Sequence, residues 1–369
     1  MSIYALARPL LLSMDAEAAH GLTLRALKMG LAPCHKAETP LLAVNLWGRD
    51  FANPLGLAAG FDKGAEVIGP LFDMGFGFVE TGTVTPLPQA GNPRPRVFRD
   101  AANKSVLNRM GFPGCGLEAF TRNVKTYRAT AGRAGGVLGV NIGINKDTRQ
   151  PLDDYRRCIA ALAQDADYIT VNVSSPNTAG LRDLQAREEL DKLLAAVMDA
   201  REKTGHKKPL LLKVAPDLDE AQCAAIAELA LHHGIDGLIV SNTTVTRPAQ
   251  LKPSLKREKG GLSGQLLKPL ATAKIAAFYK LLAGRLPIVG VGGIATAEDA
   301  YEKIRAGASL VQVYSGLVFE GPKLVPNVLT GLEALLKRDG YTHISHAVGV
   351  DAQVAAFRRT GAETPDNAA

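Results

Sequence analysis

Eight short apolar runs, separated by longer segments of helical character, constrain the fold of this chain more than any other feature. The runs are rich in Val, Ile and Leu without polar alternation, which is typical of strands buried on both faces of a parallel sheet. This alternation predicts an α/β fold, a (β/α)8 TIM barrel with an N-terminal helical extension. The runs occupy residues 55–59, 77–81, 137–141, 167–173, 209–214, 236–240, 286–291 and 309–314.

The segments between the runs include three clear helices. Residues 153–166, 188–203 and 219–233 carry apolar side chains at helical spacing, and Asp153 is a candidate N-cap of the first. Two long connections, 82–136 and 241–285, are expected to cover a substrate, and EKGGLSG in the second can close over a ligand.

Composition excludes several classes of protein. The chain has 369 residues, and 46% of them are hydrophobic, which is enough for one large barrel. A net charge of +7 suits an anionic ligand or membrane surface, or ordinary solubility. No Lys/Arg-rich block indicates a nucleic-acid partner, and the four cysteines form no C-x-x-C pair, so we expect no metal.

The longest uncharged stretch, 306–319, is too short to span a bilayer. The start of the chain is a poor signal peptide, so we expect a bacterial cytoplasmic protein.

Residues able to do chemistry follow nearly every apolar run. In a (β/α)8 barrel the ligand binds at the carboxyl ends of the strands, so these side chains are expected to converge on one site. They are Lys63, Thr83, Asn141, Asn172 with Ser175, Lys213, Asn242, Gly293, and Tyr314 with Ser315.

The segment TVNVSSPNTAGLR, residues 170–182, is the most specific of these. The amides of Asn172 and Asn177 can donate and accept together, which suits the imide or carboxylate of a planar heterocycle. Ser175 lies before a proline-set turn that can fix its hydroxyl. The alternative is an ordinary Ser/Asn-rich turn. No G-x-S-x-G elbow or nearby histidine supports a hydrolase.

Glycine-rich turns follow the last two runs, in IVGVGGI and VQVYSGLVFEGP. Backbone N–H groups of Gly292, Gly293, Tyr314 and Ser315 can hold a phosphate monoester, which suggests flavin mononucleotide. Lys213 can then place positive charge near the N1/O2 side of the flavin.

Basic and amide side chains in the earlier loops could either contact a ligand or belong to an exposed, solvated loop. Lys63, after LGLAAGF, can neutralise a carboxylate or be an exposed loop lysine. Arg99 and Asn108 are candidate ligand contacts, whereas Arg94 and Arg96 fit a solvated basic loop.

Residues 1–38 predict two short helices, the second opening near Asp15, with more apolar surface than a lone hairpin can bury. They fit a helical cap packed on the barrel floor, which composition alone favours, or an interfacial membrane element above an apolar tunnel. The tail after about residue 350 is expected to be disordered.

Taken together, AAGFDK, NRMGF, NVSSPNT, SNTT, GGLSG and VQVYS make the chain resemble the dihydroorotate dehydrogenase family over residues 1–345. In that family a cysteine base marks soluble enzymes and a serine marks enzymes that reduce membrane quinones. Ser175, the segment DAEAAHGLTLRAL and the segment PRVFR match the quinone-reducing class. The resemblance therefore favours the membrane interpretation of residues 1–38.

The resemblance implies oxidation of (S)-dihydroorotate to orotate in pyrimidine biosynthesis, with Ser175 as the catalytic base. The hydride would pass to FMN, and a membrane quinone would reoxidise the flavin. It implies three regions: a membrane and quinone-tunnel extension (1–38), an FMN-binding barrel (39–345) and a C-terminal tail (346–369). The N-terminal helices would attach the protein peripherally to the cytoplasmic face of the bacterial inner membrane. Because serine is a weak base, we expect removal of the C5 proton to rely on a water relay and a closed, dry loop, so the rate should rise with pH.

The same resemblance assigns the site residues. Those around the substrate would be Lys63, Asn108, Arg109, Met110, Gly111, Phe112, Asn172, Asn177, Asn242 and Thr243. Those around the flavin would be Ala59, Gly60, Phe61, Asp62, Lys63, Thr83, Asn141, Asn172, Lys213, Ser241, Gly264, Gly293, Tyr314 and Ser315. The quinone tunnel would be lined by His20, Arg99 and Tyr314.

The chain departs from the family pattern at Ala179, where proline is usual, and at Ser241, where threonine is common. Other flavin barrels, the 2-hydroxyacid oxidases and dihydrouridine synthases, are disfavoured because no His or Cys is suitably placed. A non-redox lyase or isomerase on the same barrel and a non-catalytic membrane-binding module are the remaining alternatives.

Overall fold

The computed structural model describes residues 3–35, 39–131 and 136–352. The helices are α1 Ile3–Ser13, α2 Ala16–Lys28, α3 Ile68–Asp73, α4 Gly116–Ala131, α5 Pro151–Leu162, α6 Arg187–Lys203, α7 Glu220–His233, α8 Lys268–Leu282, α9 Ala297–Arg305, α10 Ser315–Glu320 and α11 Leu324–Arg338. The strands are β1 Val44–Leu46, β2 Arg49–Phe51, β3 Leu55–Leu57, β4 Phe78–Val84, β5 Val97–Asp100, β6 Ser105–Asn108, β7 Val137–Ile142, β8 Tyr168–Asn172, β9 Leu210–Val214, β10 Gly237–Val240, β11 Gly261–Gly264, β12 Ile288–Val291 and β13 Leu310–Val313. Short 3-10 helices lie at Pro40–Leu42, Leu181–Gln185, Pro253–Leu255, Gln265–Leu267, Gly321–Lys323 and Ile344–Ala347.

Eight parallel strands close into a barrel in the order β3-β4-β7-β8-β9-β10-β12-β13. Each coincides with one of the eight predicted apolar runs, so the predicted (β/α)8 barrel is confirmed. The runs lack polar alternation because the strands are covered by side chains on both faces: every residue of β7, β8 and β9 is buried.

The helix predicted at 153–166 begins earlier than expected. Its N-cap is Gln150 rather than Asp153, and Pro151 occupies the first helical position. Proline is favoured there because its fixed φ suits the helix and its missing N–H has no partner to lose. The other two predicted helices match α6 and α7, and Asp219 forms a capping box with Gln222 at the start of α7.

The barrel floor is closed by the hairpin of β1 and β2 and not by the N-terminal helices. Trp47 at the turn donates its indole N–H to the carbonyl of Asp236 at 2.8 Å, just before β10. Phe51 packs edge-on against Phe78 with ring centroids 5.6 Å apart. The interpretation of residues 1–38 as a cap on the floor is therefore wrong, because the aromatic side chains of this hairpin already fill that space.

The N-terminal helices lie instead at the mouth, where the carboxyl ends of the strands open. Asp15 caps α2 as predicted, accepting a hydrogen bond from Ala18 N at 2.9 Å. Arg8 of α1 donates to the carbonyl of Phe319 at 2.8 Å, in helix α10, which follows the last strand. Among the described helices, none is both long and apolar enough to cross a bilayer. The side chains of Ile3 and Leu6, which contributed to the predicted apolar face, lie outside the described residues.

The two long connections fold over the mouth as a second sheet. Strands β5, β6 and β11 pair antiparallel, and β11 coincides with the GGLSG segment expected to close over a ligand. The loop 109–114 follows β6, and residues 253–260 precede β11.

The beginning of the predicted tail packs on the barrel. Ala347 and Ala352 are buried, and Gly349 N donates to Ile304 O at 3.1 Å. Arg305 of α9 forms a bidentate ion pair with Asp351. The disorder predicted for the end of the chain concerns residues 353–369, which lie outside the described residues.

Candidate active site

A single cavity of about 820 Å³ runs from the N-terminal helices to the barrel mouth. Its volume lies within the range of roughly 300–1,000 Å³ that is typical of small-molecule and cofactor sites. One end is lined by apolar side chains of α1 and α2, and the other by the carboxyl ends of the barrel strands. Two chemically different regions therefore share one enclosed volume.

Most of the predicted site residues line this cavity. Asp62, Asn141 and Arg109 are the three that do not. The residues that do are Ser175, Lys63, Asn108, Met110, Gly111, Phe112, Asn172, Asn177, Asn242, Thr243, Ala59, Gly60, Phe61, Thr83, Lys213, Ser241, Gly264, Gly293, Tyr314, Ser315, His20 and Arg99.

Asp62 supports the loop that carries Lys63 and does not face the cavity. Its carboxylate accepts hydrogen bonds from Glu66 N at 2.8 Å and Val67 N at 2.9 Å. Burial raises the pKa of this carboxyl. Its role is to shape the turn after β3.

The guanidinium of Arg109 points away from the cavity. It pairs with Glu258 at 2.5 Å, donates to Pro95 O at 2.8 Å and lies 4.7 Å from the centre of the Phe98 ring. An arginine can satisfy several acceptors in one plane, and here all its described partners belong to the loops that cover the mouth. The structure therefore does not bring this predicted substrate contact into the site.

Inside the barrel, below the mouth, Glu80 on β4 is fully buried and orders the polar side chains above it. Asn141 donates to it and, with its own carbonyl oxygen, accepts from Thr83 Oγ1 at 2.6 Å and Asn172 Nδ2 at 3.1 Å. A buried carboxylate accepts only, so it fixes which way each neighbouring amide points. Its donors are Asn141 at 2.8 Å, Tyr168 at 3.0 Å, Thr170 at 3.1 Å and Gln312 at 3.0 Å.

Lys213 and two neutral groups in the cavity wall lack hydrogen-bond partners within the described chain. The side chain of Lys213 is buried, which lowers its pKa, and the carboxylate of Glu80 opposes that shift. Gln312 Oε1 and Thr243 Oγ1 are buried and unpaired. Because unpaired buried polar groups are costly, a ligand that both donates and accepts hydrogen bonds would stabilise this wall. The ring of a flavin has both kinds of group.

The turns after β12 and β13 form the opposite end of the mouth. The backbone N–H groups of Gly292, Gly293 and Tyr314 have no acceptor among the described residues. A side chain at Gly293 would place its Cβ 2.5 Å from Lys268 Cβ, at a φ of +77°, so only glycine is accommodated there. Ser315 Oγ lies 2.8 Å from Ser263 Oγ on β11. These donors fit the phosphate of a mononucleotide.

The loop after β8 presents Ser175 to the cavity. Ser175 is 6% exposed, and its Oγ accepts a hydrogen bond from Asn177 N at 3.2 Å. Asn172 Oδ1 accepts from Ser174 Oγ at 2.8 Å, and Asn177 Nδ2 donates to Asn108 Oδ1 at 3.1 Å. No carboxylate or histidine in the described chain is hydrogen-bonded to Ser175.

Arg182 holds this loop against its neighbours. It donates to Ser174 O at 3.0 Å and to Thr243 O at 2.8 Å, and it pairs with Asp217 at 2.9 Å. The loops after β8, β9 and β10 are thereby tied together on one side of the cavity.

Lys63 lies between the two regions of the cavity and donates to Gly60 O. Burial lowers the pKa of its ammonium to about 8, and the nearby carboxylate of Glu17 opposes that shift. The lysine is cationic at neutral pH, and it lines the same cavity as Ser175, so its charge is available to an anionic ligand there.

His20, Arg99 and Tyr314 lie where the helices meet the mouth. Burial, together with the charge of Lys63, lowers the pKa of His20 to about 4, so its ring is neutral at pH 7. The rings of His20 and Tyr314 each pack edge-on against Phe61, at centroid distances of 5.0 and 6.2 Å. Arg99 donates to Leu11 O at 2.9 Å and to Met14 O, at the turn between α1 and α2.

Four residues of the site, Glu80, Gln312, Ser263 and Glu17, were not predicted from the sequence. Gln312, Ser263 and Glu17 line the cavity, and Glu80 lies behind it. A charged residue inside an apolar strand run, as in GFVET, was the signal that could have identified Glu80. Within the described residues there is no cluster of His, Cys, Asp or Glu side chains that could hold a metal.

The fold and the site define a (β/α)8-barrel enzyme with a ligand cavity at the carboxyl ends of its strands. The chain belongs to the dihydroorotate dehydrogenase family, whose model matches residues 41–336.

Similar proteins agree over nearly the full length. A dihydroorotate dehydrogenase (quinone) from Parvibaculum lavamentivorans is 53% identical, covering 95% of this chain and 99% of the relative. The protein of the same name from Rhodospirillum rubrum is 53% identical, with 94% of each chain covered. A crystal structure of DHODH from Eimeria tenella in complex with ferulenol superposes with a TM-score of 0.89 at 40% identity, covering 94% of this chain and 98% of that one.

Proposed function

We propose that the protein oxidises dihydroorotate to orotate in pyrimidine biosynthesis, with FMN as its cofactor and a membrane quinone as electron acceptor. The observation that carries this proposal is the single cavity that joins Ser175 and the polar mouth to the apolar space beneath α1 and α2. A quinone is apolar and dihydroorotate is a polar anion, so an enzyme that uses both needs two such regions around one cofactor.

FMN, when bound, would accept the hydride from the substrate and pass electrons on to the quinone. The buried side chain of Lys213 would hold the acceptor side of its ring, and the unpaired Gln312 Oε1 would accept from a ring N–H. The unpaired N–H groups of Gly292, Gly293 and Tyr314 would hold the phosphate.

Ser175 is the proposed base that removes a proton from dihydroorotate. Its hydroxyl faces the cavity from a loop held by Arg182, so its position is fixed before the substrate binds. Lys63 supplies the positive charge for the substrate carboxylate. The amides of Asn108, Asn172, Asn177 and Asn242 surround the same space, and they can pair with both donors and acceptors of the substrate ring.

The helical extension is the proposed membrane-binding element. Leu10, Leu22, Met29 and Leu31 are exposed large apolar side chains, and they form what we call the helical apolar patch. Such a patch on a soluble surface favours insertion into the interfacial layer of a bilayer. We place the protein peripherally at the cytoplasmic face of the bacterial inner membrane, with residues 1–38 as the attachment region, 39–345 as the barrel and 346–369 as the tail.

The proposal is tested by purifying the protein, recording its visible spectrum and comparing quinone, fumarate and NAD⁺ as acceptors for dihydroorotate. We expect a flavin spectrum and turnover with the quinone. A colourless protein that binds phosphate compounds would instead be a lyase or isomerase.

Replacing Ser175 by alanine tests the assignment of the base. We expect flavin reduction by dihydroorotate to slow by about 10²–10⁴-fold, the usual contribution of a positioned general base. Flavin content and orotate affinity should remain, because Ser175 makes one described hydrogen bond, from Asn177 N. Reduction at the wild-type rate by this variant would remove Ser175 from the mechanism.

A further inference from the structure

Arg96 is a buried ion-pair partner and not the solvated loop residue that its sequence context suggested. Its side chain is 6% exposed and lies against Glu17 of α2. Nε donates to Glu17 Oε2 at 3.0 Å and Nη2 donates to Glu17 Oε1 at 2.9 Å. This bidentate geometry is the strongest form of an arginine–carboxylate contact. It joins the N-terminal extension to the barrel.

The third nitrogen of the same guanidinium holds the loop that leads to the substrate region. Nη1 donates to Ala90 O at 2.6 Å and to Asn92 O at 2.8 Å. The backbone of Arg96 also accepts from Arg109 N at 2.8 Å. Arg96 therefore fixes residues 90–92 on one side and the segment beginning at Arg109 on the other.

Asn92 continues the connection into the site. Its side-chain amide donates to Arg109 O at 3.0 Å and to Asn177 O at 3.1 Å, and its N–H donates to Met110 O at 2.9 Å. Asn177 in turn donates to Asn108 at 3.1 Å. The backbone of the base-bearing loop and the loop 107–112 are thus held by a residue that Arg96 positions.

We propose that Glu17 and Arg96 are positioning residues that couple the docking of helix α2 to the geometry of the dihydroorotate pocket. The proposal rests on the proposed function. It adds that the helical extension shapes the site at which the substrate binds, besides covering the apolar region. Neither residue is placed at the reacting atoms. Arg96 acts through Asn92, and Glu17 acts through Arg96 and through the charge of Lys63.

Charges around the pair are consistent with this role. Glu17 also lies 3.4 Å from the exposed Arg94, and it stabilises the cationic form of Lys63. Arg96 has no other carboxylate within ion-pair distance in the described chain. Removal of the Glu17 charge would leave the Arg96 guanidinium buried without its counter-ion, so the loop carbonyls would have to rearrange around it.

The test is an orotate titration of the full-length flavoprotein in detergent, followed by the absorbance of the bound flavin and by calorimetry. For Glu17→Gln we expect orotate to bind about 3- to 30-fold more weakly, the size of effect reported for side chains along a coupling network. The KM for dihydroorotate should rise with it more than kcat falls. Glu17→Asp keeps the charge, so it should restore part of the affinity.

Lys28→Gln is the matched control. Lys28 also joins α2 to the barrel, through an ion pair with Glu66, but this contact is exposed and ends in the turn after β3, away from the loops that Arg96 holds. The control should keep wild-type orotate affinity. The melting temperature of each variant is measured alongside.

Three outcomes would overturn the proposal. In the first, Glu17→Gln binds orotate within about twofold of wild type although its melting temperature or its quinone KM has changed. In the second, Lys28→Gln weakens orotate as much as Glu17→Gln does. In the third, Glu17→Gln does not fold and Glu17→Asp binds orotate as wild type does. A wild-type protein that binds neither flavin nor orotate would instead refute the proposed function.

Discussion

At Lys63 the charge of one side chain depends on its burial and on the charged groups around it. Burial favours the neutral amine, the carboxylate of Glu17 favours the ammonium, and the guanidinium of Arg96 opposes it. The result is a pKa of about 8, against an ordinary value of 10.5. Lys63 is thus charged at neutral pH, and it loses this charge in mildly alkaline solution.

We therefore predict that orotate affinity falls as the pH rises through about 8. The sign follows from the lowered pKa: Lys63 loses its proton on the alkaline side, and a neutral amine does not pair with the carboxylate of orotate. Calorimetric titration between about pH 6.5 and pH 9.5 measures the effect, because an ordinary lysine titrates above this range. Lys63→Arg remains charged throughout and serves as the control for other titrating groups. An affinity that is flat across this range would contradict the assignment.

At the scale of an element, helix α9 contains a buried lysine, and no proposed step uses it. Lys303 is fully buried, and its ammonium donates to Thr272 Oγ1 of α8 at 3.0 Å. The neighbouring carboxylates of Asp299 and Glu302 are already paired with Lys268. Burial lowers the pKa of Lys303 to about 7, so the folded state resists its protonation.

Replacing Lys303 by methionine is expected to stabilise the protein at neutral pH by about 1–4 kcal/mol. The pKa of Lys303 is about 7 in the folded protein and has its ordinary value of 10.5 in the unfolded chain. Between pH 7 and pH 10.5 the unfolded chain therefore holds the lysine proton more tightly than the folded protein does. The free energy of unfolding of the wild type must then fall as the pH is lowered from 10.5 to about 7. The gain from Lys303→Met should accordingly shrink as the pH rises. Urea unfolding at two pH values measures it, with the exposed Lys280→Met as control. A less stable variant at neutral pH would disprove this account.

At the scale of the whole molecule, the two ends of the barrel are closed by different elements. The β1–β2 hairpin fills the floor with aromatic side chains, and α1 and α2 cover the mouth. The cavity therefore extends from the strand ends towards the helices. The helical apolar patch surrounds this side, so attachment to a bilayer would place the apolar end of the cavity next to the lipid.

Replacing Leu10 and Met29 together by serine is expected to reduce the fraction of protein bound to anionic lipid vesicles. These side chains are 63% and 70% exposed, and neither lines the cavity, so reduction of a soluble dye by dihydroorotate should be unchanged. Loss of two large apolar contacts, at about 1.5–3 kcal/mol for each full burial, predicts a tenfold or greater decrease in binding. Leu281→Ser, at an exposed position on α8, is the control. Equal vesicle binding by all three proteins would argue against the helical attachment.

Local sequence by itself determined the eight barrel strands, the first turn of α2 and the loop that presents Ser175. Each of these depends on nearby residues: apolar runs for the strands, the side chain of Asp15 for the cap, and the Ser-Ser-Pro-Asn turn after β8. The same reasoning identified most of the cavity wall, because the strand ends of a barrel necessarily meet at one mouth.

Only the tertiary structure decided which polar side chains meet one another. Arg109 pairs with Glu258, which lies 149 positions away in the sequence, and Arg96 pairs with Glu17, which lies 79 positions away. Glu80 accepts from Gln312 across 232 positions. No local pattern encodes such pairs, because a charged side chain has the same preferences in every loop until the fold brings a particular partner within hydrogen-bonding distance.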